Sequence, residues 1–305
     1  MANTREIQRR IKSVKNTKKI TKAMEMVASS KMRRAVNSVL ATRTYSDLAW
    51  QMILNISQKT NIELHPLLAK KEKINKVAVV LFTSNRGLCG SFNQQAVKTA
   101  RERIKKERNN GAEVETVVMG KKGARAMAKY GEKIAADFDK EDVLNEVAEI
   151  RPLAKMLIND YLEGKYDKVI VVYTDFVSAL KQVCREKQIL PIESEADEML
   201  GQVEEKGIPS DQKPKKSQAE VEYLFEPDPK TILDDLLPRL LEVQVYQALL
   251  ETNASEHSAR MMAMRNASDA AGDMIDELTL TYNQARQAAI TSEIAEIAGG
   301  KAALE

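Results

Sequence analysis

The sequence predicts an α/β protein in which a compact sheet unit is inserted between two very long terminal helices that pair as an antiparallel coiled coil. Three observations carry this reading. Residues 1–65 contain neither Gly nor Pro. Residues 239–298 contain no Pro and only Gly272. Between these stretches, β-branched apolar runs alternate with polar helical ones, the pattern of an α/β layer with mainly parallel strands.

In the N-terminal stretch Ile7, Ile11, Val14, Ile20, Met24 and Val27 recur at spacings near 3 and 4, which is helical periodicity. A helix over residues 4–58 is roughly 80 Å long at 1.5 Å per residue, and His-Pro-Leu at 65–67 ends it. KVAVVLF (76–82), EVETVVM (113–119) and YDKVIVVYTDF (166–176) read as strands, with QVCREKQILPI (182–192) following the last. Residues 91–109, 123–130 and 141–164 read as helices, the last interrupted near Pro152. Residues 193–222 are charged and poor in apolar side chains, so they read as a loop, and EYLFEPDP (222–229) reads as an edge strand.

Beyond Pro238 a second stripe steps by 3 and 4 through Met261, Met264, Ala267, Ala271, Met274, Leu278, Thr281, Ala285 and Ala288. It resembles a coiled-coil seam built of small residues. The small residues either allow close packing or keep a protruding helix slim. Both long helices start from the same sheet unit, so antiparallel pairing buries both stripes. The chain divides into an N-terminal helix (1–65), a central α/β domain (66–229) and a C-terminal helix and tip (230–305).

Of 305 residues 43% are hydrophobic, and the formal net charge is +3. The charge is uneven: residues 1–34 hold eleven Lys/Arg against Glu6 and Glu25. Such a block predicts an acidic protein surface or nucleic acid as partner. The apolar face of the same helix favours protein over DNA, because that face has to be buried. Cys89 and Cys184 are the only cysteines and form no CxxC pair, the usage of a reduced, cytoplasmic protein. No apolar run approaches the roughly 20 residues that span a bilayer, and the basic N-terminus lacks a signal-peptide core. The chain is expected to meet membranes only through other proteins.

The stretch TSNRGLCGSFN (83–93) follows a strand, where nucleotide phosphates often bind. Neither GxxxxGK[ST] nor GxGxxG occurs. Gly87 and Gly90 give GxxG, which also clamps RNA backbones in one family of binders; the plainer reading is a tight turn with positive φ. His65 and His257 are the only histidines and lie far apart. No Cys/His cluster has metal spacing. Asp175 ends a strand and reads as a cap before a catalytic acid, and Cys184 reads as packing. The methionines of both stripes read as core filler. No catalytic constellation, cofactor site or metal site is expected.

KITKAMEMVASSKMRRA (19–35), RGLCGSFN (86–93), EYLFEPDP (222–229), ASEHSARMMAMRNASDAA (254–271) and YNQARQAAITSEIAEI (282–297), in this order, resemble the γ subunit of bacterial F-type ATP synthase. The resemblance runs over nearly the whole chain, and its terminal motifs are specific. It implies a Rossmann-like domain inserted in the coiled coil and a non-catalytic rotor shaft. The implied partners are a ring of three α and three β subunits, the ε subunit and the c-ring of the membrane sector, with no nucleic acid and no direct bilayer insertion. The implied location is the cytoplasmic face of the bacterial inner membrane. The resemblance, with antiparallel pairing, sets Met24 opposite Arg239–Val243 at a shaft–β contact. It also makes Arg286, Gln287, Thr291 and Glu293 a tip motif that bonds to β loops, on a single helix protruding over about the last 30 residues. Chloroplast relatives carry a redox cysteine pair in a loop of this domain; residues 193–222 contain no Cys, so thiol regulation is not expected.

Overall fold

The computed structural model describes residues 2–59, 65–69, 71, 73–140, 147–192 and 229–302. The elements run α1 (Ala2–Lys59), β1 (Lys76–Phe82), α2 (Phe92–Asn109), β2 (Glu113–Met119), α3 (Lys121–Lys129), β3 (Ile134–Phe138), a 3-10 turn (Val147–Glu149), α4 (Arg151–Leu162), β4 (Lys168–Phe176), β5 (Gln182–Leu190) and α5 (Pro229–Ala302). They form two compact units, one of residues 30–259 and one of residues 1–29 with 260–305.

In the first unit the five strands lie in the order β3-β2-β1-β4-β5. β1 through β4 pair parallel, and β5 returns antiparallel to β4. The three parallel pairings match the expectation; the antiparallel edge differs because only five residues (177–181) join β4 to β5, too few for a crossover. β3 was not legible in the sequence. Its five residues are only half covered, and the alternation is short.

β1 and β4 are apolar on both faces because both faces are covered. Ala78, Val80, Phe82, Val169, Val171 and Tyr173 pack with α4, α5 and Ala35 and Val39 of α1. Their neighbours Val77, Val79, Leu81, Ile170 and Val172 pack on the opposite face with Ala96, Ala100 and Ile104 of α2 and Met127 of α3. Burying a side chain the size of Phe82 or Leu81 stabilises by about 2–3 kcal/mol.

Two prolines act differently from expectation. Pro152 lies in the first turn of α4, where its missing N–H costs nothing, so it starts the helix. Pro238 lies inside α5, which begins at Pro229. That site costs about 3 kcal/mol, and the burial of Leu233, Leu237, Leu240 and Leu241 around it offsets the cost. The polar segment 193–222 and the edge strand expected at 222–229 lie outside the described residues, apart from Pro229.

The strand-to-helix junctions need glycine at one place above others. Gly120 has φ +111°, and a Cβ there would lie 2.4 Å from the carbonyl oxygen of Thr83. Thr83 in turn donates its Oγ1 to Gly120 O at 3.0 Å and accepts from the Gly123 amide at 2.9 Å. Gly120→Ala is expected to lower stability by about 2–4 kcal/mol, read as a lower urea midpoint of the full-length chain; an unchanged midpoint would show that the junction can open without loss.

Candidate functional site

In a doubly wound sheet the ligand crevice lies beyond the strand ends where the strand order reverses, here between β1 and β4. β1 ends its pairing with β4 at Leu81↔Val172, while β4 continues to Phe176 against β5. The last residues of β4 therefore present an open edge. Helix α5 fills that place. Every residue from Gln244 to Ser258 is buried, and the run Glu251-Thr252-Asn253 and Ser255-Glu256-His257-Ser258 is polar.

The polar side chains stand in for the missing strand. Thr252 Oγ1 accepts from the Thr174 amide at 3.3 Å and donates to Ala248 O at 2.8 Å. Glu251 Oε2 accepts from the Phe176 amide at 3.1 Å. Ser255 Oγ donates to Thr174 O at 3.1 Å, and Ser258 Oγ donates to Ala179 O at 2.7 Å. Glu251 is fully buried. Its other oxygen accepts from Arg43 of α1 at 2.8 Å and from Gln247 at 3.1 Å, and Gln247 accepts from Thr42 at 2.7 Å. Lys140 pairs with Glu256, and its carbonyl accepts from Asn85 Nδ2 at 2.6 Å.

Asp175 points into the same seam. Arg185 Nε lies 3.1 Å from its Oδ2, and Oδ1 has no hydrogen-bond partner among the described residues. Burial, with Glu251 adding repulsion, pushes its carboxyl from 3.8 up to about 6, against the pull of Arg185 and Arg43. It is therefore a buried edge carboxylate paired to β5.

The glycine turn is held by its own hydrogen bonds. The Ser84 amide donates to Asn93 Oδ1 at 3.0 Å, and Ser84 Oγ lies 2.6 Å from Arg86 O. Asn93 Nδ2 donates to Cys89 Sγ at 3.2 Å. The positive φ values fall on Leu88 (63°) and Gly90 (59°), not on Gly87. His65 is buried in the turn after α1; its Nδ1 accepts from the Leu67 amide at 3.1 Å, and its Nε2 lies 3.1 Å from Asp234 Oδ1. Cys184 is half-buried in β5, and burial raises its thiol.

The second unit is an antiparallel helix pair. Thr21 and Ser268 share a hydrogen bond of 2.7 Å in the seam, Arg265 Nε lies 4.0 Å from Glu25 Oε1, and Lys18 reaches Gly272. This register sets Met24 level with Met264 and Arg265, not with Arg239–Val243. The correction follows from which residues form the seam. Ile7, Thr21 and Ala28 are buried on α1, and Met264, Ser268 and Ala271 on α5, with Ile275, Leu278, Tyr282, Ala285 and Ala289 half-buried. The spacing alternates 4 and 3, a heptad on both helices. Large apolar residues expected in the seam face outward instead: Ile20 is 60% exposed, Val27 57% and Met274 50%. Thr281 and Ala288 are exposed as well.

Carried on in the same register, Ile7 lies level with Tyr282, so α5 outruns α1 from about residue 287. The lone stretch is shorter than the 30 residues expected. Residues 291–298 are all exposed, including Ile294 at 62% and Ile297 at 68%. Met24 is half-buried, and Arg239, Arg286, Gln287, Thr291 and Glu293 are exposed. Thr291 Oγ1 donates to Gln287 O at 2.9 Å. Sequence reasoning missed the outward isoleucines and the polar run 251–258. Seven polar residues in the middle of a helix that follows Tyr-Gln-Ala-Leu-Leu were the available signal. No helix among the described residues is long and apolar enough to cross a membrane.

The chain thus belongs to the class of proteins that join a doubly wound sheet, its crevice filled by its own C-terminal helix, to an antiparallel coil with apolar residues turned outward. The family model described as ATP synthase matches residues 3–304. The ATP synthase gamma chain of Herpetosiphon aurantiacus is 42% identical, covering 100% of this chain and 99% of the relative. That of Nitrosomonas europaea is 37% identical over the full length of both. The chain belongs to the ATP synthase gamma chain family. Among solved structures, the Euglena gracilis mitochondrial ATP synthase (OSCP/F1/c-ring, rotational state 3) has a chain with TM-score 0.65 at 21% identity, covering 99% of this chain and 95% of that one. A chain of the Euglena gracilis rotor in rotational state 1 has TM-score 0.61 at 21% identity, covering 95% and 99%. At these identities the likeness is one of fold. The nucleic-acid reading of the basic helix gains nothing from these relatives.

Two outcomes follow from this geometry. A cysteine pair replacing Thr21 and Ser268 should crosslink within one chain on mild oxidation, seen as a mobility shift on non-reducing gels; the absence of an intrachain product would refute the register. Asp175 binds a proton more tightly folded than unfolded. Its contribution is therefore fully present below pH 3.8 and is lost as pH rises through about 6. Asp175→Asn should flatten that decline and raise stability at pH 7.5 by about 1 kcal/mol, measured by urea unfolding across pH; a profile that keeps the wild-type slope would place the titration on another group.

Proposed function

We propose that this chain is the central rotor shaft of a proton-translocating F-type ATP synthase, itself without a catalytic site. The observation that carries the reading is the coil in residues 1–29 and 260–302. Its seam mixes small residues with Ile7 and Met264, several other large apolar side chains (Ile20, Val27 and Met274) face outward, and α5 continues past α1 with Ile294 and Ile297 exposed. A lone amphipathic helix of that length is marginal in water, so a sleeve of other subunits covers it. Three α and three β subunits form that sleeve, and the α/β domain meets ε and the c-ring. The complex sits at the cytoplasmic face of the bacterial inner membrane, with this chain bound peripherally. The functional division is a helix over 1–65, a domain over 66–229 and a helix with its tip over 230–305.

The mechanism is a population shift. A shaft uneven about its axis presents a different face to each β subunit, so each has a different balance of open and closed states. Rotation moves that balance from site to site, coupling proton flow to ATP synthesis or hydrolysis. Arg5, Arg9, Lys12, Lys15 and Lys19 on α1 are exposed and have no ion-pair partner among the described residues, which suits acidic loops on the surrounding ring. Met24 and Arg239 contact that ring at different heights. Arg286, Gln287, Thr291 and Glu293 bond to β loops at the tip, Arg286 opposite a carboxylate. The crevice that holds nucleotide in other doubly wound sheets holds α5 here, so ATP binds on the ring.

Purification from membranes should return the chain with α, β, δ and ε subunits. In that assembly Arg286→Ala or Gln287→Ala should slow steady-state ATPase about tenfold, the effect of losing about 1.4 kcal/mol at a working contact, with little change in the chain's own unfolding midpoint. Met24→Lys should weaken coupling between hydrolysis and proton pumping, while deletion of 298–305 is tolerated. The isolated chain should not hydrolyse ATP. Full turnover in Arg286→Ala together with loss of turnover and assembly on the short deletion would reassign the tip contacts.

A further inference from the structure

On the face of the sheet away from α5, helices α2 and α3 leave a groove of about 610 Å³ between them. Its floor is apolar, with Val97 buried and Ala126 half-covered, and its walls carry Lys98, Arg101, Lys105 and Lys122 against the single acid Glu102. Lys98 and Glu102 stand 3.9 Å apart and are mostly exposed, a pair worth little. Arg101, Lys105 and Lys122 have no carboxylate partner among the described residues. Arg101 stacks on the ring of Tyr130 at 3.8 Å, which holds its guanidinium at the rim.

The cations lie along the whole groove. Lys122 lies at the end beside Gly87. Lys98, Arg101 and Lys105 follow at one-turn spacing down α2, and from Asn93 to Lys105 the helix rises roughly 18 Å. A single phosphate or carboxylate would engage one end and leave the rest of the row unpaired. An apolar floor flanked by a row of cations at helical pitch matches a helix with one apolar face and acidic residues beside it. The rotor reading sets ε and the c-ring against the α/β domain without assigning this groove to either, and the binding test below reads the groove by itself, so the two readings can fail separately.

We propose that the α2–α3 groove is a docking site for an acidic amphipathic helix of another protein chain. The partner's leucine-like residues rest on Val97 and Ala126, and its carboxylates pair with Lys98, Arg101, Lys105 and Lys122. Electrostatic complementarity sets the encounter rate and selects acidic over basic helices.

The test uses the full-length chain and a fluorescent synthetic helix carrying glutamates on one face and leucines on the other. Lys98→Glu/Arg101→Glu/Lys105→Glu should weaken its binding about tenfold or more. The equal charge change Lys73→Glu/Lys76→Glu/Lys155→Glu, at exposed lysines away from the groove, should leave it within about twofold. A photocrosslinking residue in place of Tyr130 should capture the peptide. Equal losses from the two triple variants, or no binding at all, would overturn the proposal. So would displacement of the peptide by stoichiometric tripolyphosphate, which would make the groove a small-anion site.

Discussion

The unit of residues 30–259 depends on a strand that is longer than its neighbour. β4 runs four residues, Tyr173–Phe176, past its last pairing with β1, and an exposed edge inside a protein leaves backbone donors and acceptors without partners. Another strand would satisfy them; here a helix does. Thr252, Glu251 and Ser255 meet the Thr174 amide, the Phe176 amide and the Thr174 carbonyl in turn. Side chains reach only one distance in one direction, so the helix is fixed in both rotation and translation against the sheet. Apolar packing alone would tolerate sliding by a turn. Removing Glu251 would strand the Phe176 amide and the Arg43 guanidinium together, at a cost of several kcal/mol. A joint of this kind suits a part that has to carry torque without slipping.

The helix pair of residues 1–29 and 260–305 obeys the opposite economy. Its seam buries Ile7 and Met264 but is otherwise made of small residues, Thr21, Ala28, Ser268 and Ala271, and includes a hydroxyl pair. Small residues let the helices approach closely, but each contributes less than a Leu or Ile would. Larger side chains are present and are turned outward. An isolated coil with that arrangement is weaker than its sequence could make it. The arrangement becomes favourable when the outer surface is itself covered, because the same isoleucines then bury area against the cover.

The legibility of the fold follows from that contrast. Strands β1 and β4 were plain in the sequence because both faces are buried and their apolar runs are long, and β2 because β-branched residues dominate it despite Glu115. The two long helices were plain because Gly and Pro are missing. The seam was read correctly at Ile7, Met264, Ala271, Leu278 and Ala285 and slipped by one position at Ile20, Val27, Met274, Thr281 and Ala288, because spacings of 3 and 4 can be counted from either neighbour. Ile20, Val27 and Met274 lie one position from Thr21, Ala28 and Ile275, and a stripe counted through them follows the outer face. The register error had another source: Met24 was set opposite Arg239–Val243 by the resemblance, and no seam contact between the two helices is legible in either one alone. Of the polar run 251–258 only residues 254–258 fall in the stretch that carries the resemblance, and what the run contacts depends on β4 outrunning its pairing with β1, a property of pairing that is invisible in any one segment.

The turn RGLCGSFN illustrates how a shared fold can lose its usual site. Its position, after the first strand and before the first crossover helix, is the one that cradles phosphate in dinucleotide-binding sheets. Here Asn93 and Ser84 bond each other across the turn, and Asn85 links the turn to Lys140 and so to Glu256 on α5. The Ser84 amide and the side-chain amides of Asn85 and Asn93 are directed at protein. The crossover geometry survives because the sheet needs it, while the crevice serves to anchor a helix. Similar topology therefore carries no nucleotide chemistry by itself, and the residues at the strand ends decide what the crevice holds.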